Sequence, residues 1–157
     1  MDLPRLTEHQ RRRISAIATS YRQLTGNELV AGGDRDDPVG ALWVAPLAIV
    51  AHGMEADPVF FFGNRTALAL FELDFNAFTQ LPSRLSAEPL LREEREHLLE
   101  RVGRDGIIDD YSGVRISSTG RRFRISRATV WNLSGSDGRP LGQAAAFGTW
   151  NFLKTPR

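Results

Sequence analysis

Residues 111–150, YSGVRISSTGRRFRISRATVWNLSGSDGRPLGQAAAFGTW, contain the pattern that decides the fold. Apolar residues recur there at every second position, on both sides of two short polar turns at 118–120 and 136–138. Gly120 and Gly138 supply the positive φ angles that tight hairpin turns require. The pattern predicts three consecutive antiparallel strands. Because such a meander buries only one apolar face, the preceding residues are expected to cover it.

The composition is that of an ordinary globular domain. The 157 residues are 41% hydrophobic and 25% charged, which predicts one domain with a real core. A net charge of +1 gives no field that would favour nucleic acid as a partner. The absence of cysteine excludes disulfides, thiol nucleophiles, zinc–thiolate sites and cysteinyl photochemistry.

The polar start of the chain predicts its location. The first residues, MDLPRLTEHQRRR, carry no apolar run typical of a signal peptide. No stretch reaches the roughly 20 apolar residues that span a bilayer. We therefore expect a cytoplasmic protein without a membrane anchor.

The N-terminal region predicts a helix followed by a loop. Thr7 and Gln10 have the spacing of a capping box, and an apolar stripe containing Ile14 and Ile17 follows at helical spacing. We assign residues 1–27 to an amphipathic N-terminal helix that packs on the sheet or on a second subunit. Residues 28–41, rich in Gly and Asp, are assigned to a loop, and residues 42–153 to the main domain.

The middle of the chain predicts two strands and three helices. Residues 42–52 are apolar enough for a buried strand, and residues 59–62 for a second strand. Asn64 and Asp74 are each placed to cap a short helix. Pro89 is placed to begin a longer helix. The residues expected to mark one face of that helix are Leu91, Leu98 and Val102.

This order of elements resembles the PAS domain, and the chain is similar more specifically to the MEKHLA domain family. Most of the chain takes part in the resemblance. The matching phrases are APLAIVAH at 45–52, FGN at 62–64, LPSRLS at 81–86, YSGVRISS at 111–118, GRRF at 120–123, VWN at 130–132 and GQAA at 142–145. MEKHLA domains occur at the C-terminus of plant class III homeodomain-leucine zipper proteins and as short bacterial proteins.

The resemblance implies an α+β fold: a PAS-like five-stranded antiparallel sheet with short helices on one face and an extra N-terminal helix. It implies a non-enzymatic sensory or regulatory module that acts through a small-molecule ligand, through protein–protein contacts, or through both. Homodimerisation through the N-terminal helix or the exposed sheet face is one such contact. Because the sequence contains no homeodomain or leucine zipper, the DNA binding of the plant proteins is not expected here.

The strand at 122–133 carries the first candidate ligand contacts. Its odd positions would place Arg127 and Thr129 among apolar neighbours facing the cavity of a PAS-like fold. A buried guanidinium needs a partner, and a carboxylate or phosphate ligand would be one. Two alternatives remain open: a β-bulge near Ser126 that turns Arg127 outward, or an internal partner such as Asp109.

Further candidates follow from the PAS resemblance. Gln143 lies in the last strand, where a glutamine of flavin-binding PAS relatives contacts the edge of the flavin ring. Arg84 follows a turn fixed by proline, near the expected mouth of the cavity. The Asn-Cys-Arg motif of those relatives is absent, which excludes covalent flavin chemistry. Non-covalent flavin, and haem on His97, are not favoured, so the cofactor is unknown. The full set of candidate ligand-binding residues is Asn64, Phe78, Arg84, Arg127, Thr129, Trp131 and Gln143.

Two further functions remain open. A pure interaction module would have its cavity filled by aromatic side chains, for which Phe62, Phe71, Phe78 and Trp131 are the candidates. A cone-shaped isomerase would need one buried acid beside a tyrosine, for which Asp109 and Tyr111 are available. No catalytic constellation, phosphate-binding loop or metal-ligand spacing is present, so no catalytic or metal-binding residue is predicted.

Overall fold

The computed structural model describes residues 1–31, 36–87 and 92–154 of the chain. Its elements, in order, are α1 (Glu8–Thr25), α2 (Pro38–Val44), β1 (Ala48–His52), β2 (Phe60–Gly63), α3 (Arg65–Phe71), α4 (Phe75–Phe78), a 3₁₀ helix (Ser83–Ser86), α5 (Arg92–Asp105), β3 (Ile107–Ile116), β4 (Arg122–Ser134), β5 (Pro140–Phe147) and β6 (Thr149–Phe152). No helix within these ranges has the length and apolar character needed to cross a lipid bilayer.

The strands form one antiparallel sheet in the order β2-β1-β5-β4-β3, with β6 also paired to β4. The predicted α+β class is therefore confirmed, with a short sixth strand added. Thr129 pairs with Ala146, and Ser126 pairs with Thr149 in the same register. Thus β6 prolongs β5 along β4 after a two-residue break in the ladder.

That break lies beside a bulge in β4. Between Tyr111 and Gly113 of β3 the partner residue moves from Ala128 to Ile125, so β4 carries one extra residue there. Arg127 has a φ of 53° and its side chain is exposed. The expectation that the odd positions of β4 share one face throughout is therefore wrong. The alternative of a bulge that turns Arg127 outward is confirmed.

Helix α1 covers the outer face of the sheet. It begins at the predicted capping box, in which Thr7 and Gln10 exchange hydrogen bonds, and it ends at Gly26 in the left-handed conformation. Its apolar stripe is buried, with Ile14 and Ile17 1% and 0% exposed. The Trp131 indole Nε1 donates a hydrogen bond of 3.1 Å to the Ile17 carbonyl oxygen. Of the two predicted docking surfaces for α1, the chain's own sheet is the one observed.

Helix α2 corrects two sequence predictions. The sequence predicts a loop at residues 38–41 and a strand at residues 42–44, but Pro38–Val44 is helical and β1 begins at Ala48. Asp37 caps this helix by accepting a 3.0 Å hydrogen bond from the Gly40 amide, and Pro38 occupies the first turn. Periodicity alone does not separate a short buried helix from a strand, so the apolar run is ambiguous.

The inner face of the sheet is covered by α3, α4, the 3₁₀ helix and α5. Asn64 caps α3 and Asp74 caps α4, as predicted. Leu98 and Val102 of α5 are buried against Ile108 and Val130 of the sheet. The predicted helix start at Pro89, and the third member of its apolar face, Leu91, lie outside the described residues.

Candidate functional site

A cavity of about 60 Å³ lies between the inner face of the sheet and the layer formed by α3, the 3₁₀ helix and α5. Most of the surface that faces it is apolar. All five main strands contribute, because the curled sheet brings their inner residues toward one centre. The lining residues are Val50, Ala51, His52, Phe60, Phe71, Ser83, Ser86, Leu98, Leu99, Tyr111, Arg115, Ile125, Val130, Gln143, Ala144, Ala145 and Phe147.

Gln143 is a polar side chain on the floor of this cavity. Its amide nitrogen Nε2 donates a 3.1 Å hydrogen bond to Oδ1 of Asn132 on the neighbouring strand. Asn132 in turn donates from Nδ2 to the carbonyl oxygen of Val102, at 3.0 Å. Because Val102 lies near the end of α5, these two bonds connect the cavity floor to the helix that covers it.

The same two bonds fix the orientation of the Gln143 amide. A backbone carbonyl accepts only, so Asn132 must present its NH₂ group to Val102 and its oxygen to Gln143. Gln143 must therefore present its own NH₂ group to Asn132, which leaves Oε1 directed elsewhere. Oε1 is buried, and within the described parts of the chain it has no hydrogen-bond partner. It is thus a buried acceptor without a partner, on a side chain that lines a mostly apolar cavity.

Three other polar side chains of the sheet line the cavity. An Arg115 guanidinium nitrogen donates a 3.0 Å hydrogen bond to the Tyr111 hydroxyl, and the guanidinium carbon lies 5.5 Å from the Tyr111 ring centroid. Gly113 leaves room for this arrangement, since a Cβ there would meet the Tyr111 hydroxyl. Nδ1 of His52 lies 3.1 Å from the Gly53 carbonyl oxygen. Sequence reasoning missed His52 and Arg115 as cavity residues, although His52 follows from the inward phase of β1 once that strand begins at Ala48.

Among the predicted ligand contacts, the structure places Gln143 in the cavity lining and Asn64 in the core. The Asn64 side chain is 0% exposed and all four of its hydrogen bonds are made within the chain. It accepts from the amides of Ile49 and Ala67 and donates to the carbonyls of Leu42 and Leu47. This set of bonds makes Asn64 a structural link between α2, β1 and α3, with no donor or acceptor left for a ligand.

The aromatic candidates lie on opposite faces of the sheet. Phe78 stacks on Phe60 at a centroid distance of 4.3 Å and stands behind it, outside the lining. Trp131 lies on the opposite face, where its ring meets Tyr21 of α1 edge-on at 5.1 Å. The bulge at Arg127 explains this position, because it reverses the alternation of β4. Trp131 therefore neither fills the cavity nor contacts a ligand inside it.

The remaining polar candidates also lie outside the lining. Arg84 makes an exposed ion pair with Asp57, with its Nε 3.1 Å from each carboxylate oxygen. This salt bridge gives Arg84 a structural role on the surface. Thr129 shares the strand phase of Trp131 and so faces α1. Arg127 is exposed on the bulge.

The geometry does not support an isomerase active site or a haem-binding site. Asp109 is exposed, and Asp110 pairs with Arg101 at 3.1 Å, so neither is a buried acid beside Tyr111. His97 is exposed on α5 and lines no part of the cavity. Within the described residues, no group of three or more His, Asp or Glu side chains converges as a metal site requires.

The size of the cavity limits what it can hold. Sites for drug-sized ligands and cofactors enclose about 300–1,000 Å³, several times the 60 Å³ present here. A flavin or haem ring therefore does not fit this arrangement of side chains. The cavity has room for a few water molecules or for a ligand of several non-hydrogen atoms.

Comparisons with known proteins agree with this architecture. The family model described as "MEKHLA domain" matches residues 11–152. Homeobox-leucine zipper protein HOX32 of Oryza sativa subsp. indica is 27% identical over 143 residues, and HOX29 of Oryza sativa subsp. japonica is 28% identical over 145 residues. Each alignment covers 87% of this chain but only 16% of the relative's length.

Solved structures share the fold at low sequence identity. The PAS domain of a Colwellia psychrerythraea protein superposes with a TM-score of 0.62 and 13% identity, covering 75% of this chain and 95% of that chain. A light-oxygen-voltage domain studied with a flavin analogue gives a TM-score of 0.54 and 16% identity, covering 74% and 84%. The strand order, the helical layer and the family match lead to one conclusion: the chain belongs to the MEKHLA domain family and has the fold of a PAS domain.

Proposed function

We propose that this chain is a non-enzymatic, PAS-type regulatory module whose inner cavity binds a small, mostly apolar molecule that carries one hydrogen-bond donor. The observation that carries the proposal is the buried Oε1 of Gln143, which has no partner among the described residues and belongs to a side chain that lines the cavity. Leaving a buried acceptor unsatisfied costs roughly 1–3 kcal/mol. A ligand hydroxyl or N–H group directed at Oε1 would offset that cost, while the apolar lining would bind the rest of the molecule.

The same residue supplies a route from ligand to signal. A donor bound at Oε1 acts on the amide whose NH₂ group holds Asn132, and Asn132 holds the Val102 carbonyl of α5. A ligand that binds more tightly when α5 is in one of two positions would therefore shift the population toward that position. In this proposal α5 is the element whose position reports on the cavity.

A pure interaction module is the second candidate, and the small size of the cavity favours it. Phe60 and Phe71 are buried and line the cavity, so aromatic side chains already border the space that a ligand would need. A homodimer of this kind could not use Ile14 and Ile17, because the apolar stripe of α1 is buried on the chain's own sheet. It would need the exposed end of α1, where Leu24 is 44% exposed, or an exposed part of the sheet face.

Thermal unfolding with two isomeric probes tests the ligand-binding proposal. 1-Butanol and diethyl ether contain the same atoms, but only the alcohol donates a hydrogen bond. We expect low millimolar 1-butanol to raise the melting temperature relative to the same concentration of ether, because a ligand that binds only the folded state stabilises it. In Gln143→Leu the difference between the two probes should vanish.

Native mass spectrometry and an absorption spectrum of freshly purified protein complete the test. They report any co-purified mass, any colour and the number of subunits. Equal melting temperatures with both probes, together with the absence of any bound mass, would refute the ligand-binding proposal. A dimer in that same experiment would then favour the pure interaction module.

A further inference from the structure

Strand β6 has one free hydrogen-bonding edge. Within the described ranges it pairs with β4 alone. The Leu153 amide donates to the Arg122 carbonyl at 2.9 Å. This bond identifies which residues of β6 direct their backbone groups toward β4. In an antiparallel pair the hydrogen-bonded positions alternate, so Asn151 also faces β4. The N–H and C=O groups of Trp150 and Phe152 therefore point away from β4, toward the free edge.

An open groove runs beside this edge. It has a volume of about 490 Å³ and lies between β6 and the exposed side of α3. Phe152, whose side chain lines this groove, is 46% exposed. The lining residues are Arg65, Thr66, Ala69, Leu70, Arg121, Trp150 and Phe152.

The charge of this groove is positive. Arg65 and Arg121 are both exposed, and none of the described lining residues is acidic. The Arg121 guanidinium carbon lies 3.4 Å from the centroid of the Phe152 ring, which keeps the cation over a β6 side chain that lines the groove. Glu72, the carboxylate that interacts electrostatically with Arg121, is itself held by the hydroxyls of Ser117 and Thr119.

We propose that the free edge of β6 binds an extended, acidic segment of another protein by strand addition. Backbone groups of that segment would pair with Trp150 and Phe152, and alternate side chains would enter the groove beside α3. Carboxylates in those positions would meet Arg65 and Arg121. This surface is separate from the cavity and does not depend on a ligand of Gln143, so either proposal can fail alone.

Selection from a phage-displayed library of random dodecapeptides on the full chain tests this proposal. We expect recovered peptides to carry Asp or Glu at alternate positions with apolar residues between them. A synthetic copy of a recovered peptide should shift the amide resonances of Trp150 and Phe152 in ¹⁵N spectra. Replacing its acidic residues by lysine should weaken binding at least about fivefold, because like charges would then face each other.

A charge-reversed variant supplies the control. The double substitution Arg65→Glu and Arg121→Glu should lose the acidic peptide and prefer its lysine version. The double substitution Arg12→Glu and Arg139→Glu changes the net charge equally at exposed positions elsewhere and should bind as the unmodified protein does. The proposal is overturned if no peptide is recovered, if both double variants behave alike, or if the shifted amides lie away from β6. A dimer whose interface contains Trp150 would overturn it in favour of a second copy.

Discussion

Oδ1 of Asn132 accepts a 3.1 Å hydrogen bond from Nε2 of Gln143, and this one contact orients a polar side chain on the floor of the cavity. Its importance comes from the next bond, in which Asn132 donates to Val102 of α5. An amide on a strand is thereby tied to the backbone of a covering helix through a single intermediate residue. The orientation of Gln143 and the position of α5 are thus expected to change together.

Gln143→Glu should make stability depend on pH. The new carboxyl would be buried and would face Oδ1 of Asn132, an acceptor, so its protonated form is favoured in the folded state and its pKa is raised. A glutamic acid in the unfolded chain has a pKa of about 4.3. Because the folded variant holds its proton above that value, the substitution should cost least below about pH 4. Its cost in stability relative to the unmodified protein should grow as the pH rises.

Urea denaturation of this variant between pH 4 and pH 8, relative to the unmodified protein, measures the effect. Gln23→Glu adds the same charge at an exposed position of α1 and should show no comparable decline. A flat difference across the pH range for Gln143→Glu would mean that position 143 is in contact with water.

Gly142→Ala should be strongly destabilising. Gly142 has a φ of 141°, and a Cβ there would overlap the backbone carbonyl of His52 on the paired strand. Neither strand can move away without breaking the hydrogen bonds between β1 and β5. The expected loss in the free energy of unfolding is therefore several kcal/mol, at the upper end for single substitutions. Thermal and urea unfolding should both report it.

Gly103→Ala provides the opposite case. Gly103 lies inside α5, and a Cβ added there would have no heavy atom within 4 Å. Alanine should stabilise the protein by about 0.5–1 kcal/mol, because glycine is the poorer helix former. If both glycine substitutions changed the stability in the same direction, either the close backbone approach at Gly142 or the open space at Gly103 would be wrongly assigned.

Glu72→Gln should lower stability at neutral pH. Hydrogen bonds from the Ser117 and Thr119 hydroxyls hold the pKa of the Glu72 carboxyl below its usual value of 4.5. A depressed pKa contributes stability above that usual value, and the contribution is lost as the pH falls through the lower folded-state pKa. The difference between variant and unmodified protein should therefore be full at pH 7 and should narrow below about pH 4.5, as measured by urea denaturation.

Trp131→Phe should destabilise the packing of α1. The substitution keeps an aromatic ring but removes the Nε1 donor, which leaves the Ile17 carbonyl without its 3.1 Å partner. The expected loss is about 1–2 kcal/mol in urea denaturation. Trp150→Phe, at a half-buried position, is the comparison and should cost less. Equal losses would indicate that the hydrogen bond to Ile17 contributes little.

The strands were predictable because their signal is local. Period-two alternation and the glycines at 120 and 138 mark β3, β4 and β5 without any knowledge of tertiary contacts, and both glycines have positive φ as expected. The caps at Thr7, Asn64 and Asp74 were predictable for the same reason. Each depends on residues within a few positions of one another.

The bulge at Arg127 and the helix at Pro38–Val44 were not predictable in the same way. An arginine gives no local signal for a φ of 53°, and a bulge one residue long reverses the direction of every later side chain in β4. That reversal moves Trp131 to the α1 face and brings Val130 to the cavity. For the candidate site, sequence reasoning named Gln143, which lines the cavity, and left a bulge near Ser126 open as an alternative. The candidates Thr129 and Trp131 depended on a strand without that bulge, and they lie on the α1 face.

A crystal structure of the full chain soaked in 1-butanol tests the central claim most directly. The account predicts electron density for the alcohol inside the cavity, with its hydroxyl oxygen about 2.5–3.0 Å from Oε1 of Gln143. An empty cavity, or a Gln143 amide turned so that Oε1 accepts from a group of the protein itself, would contradict it.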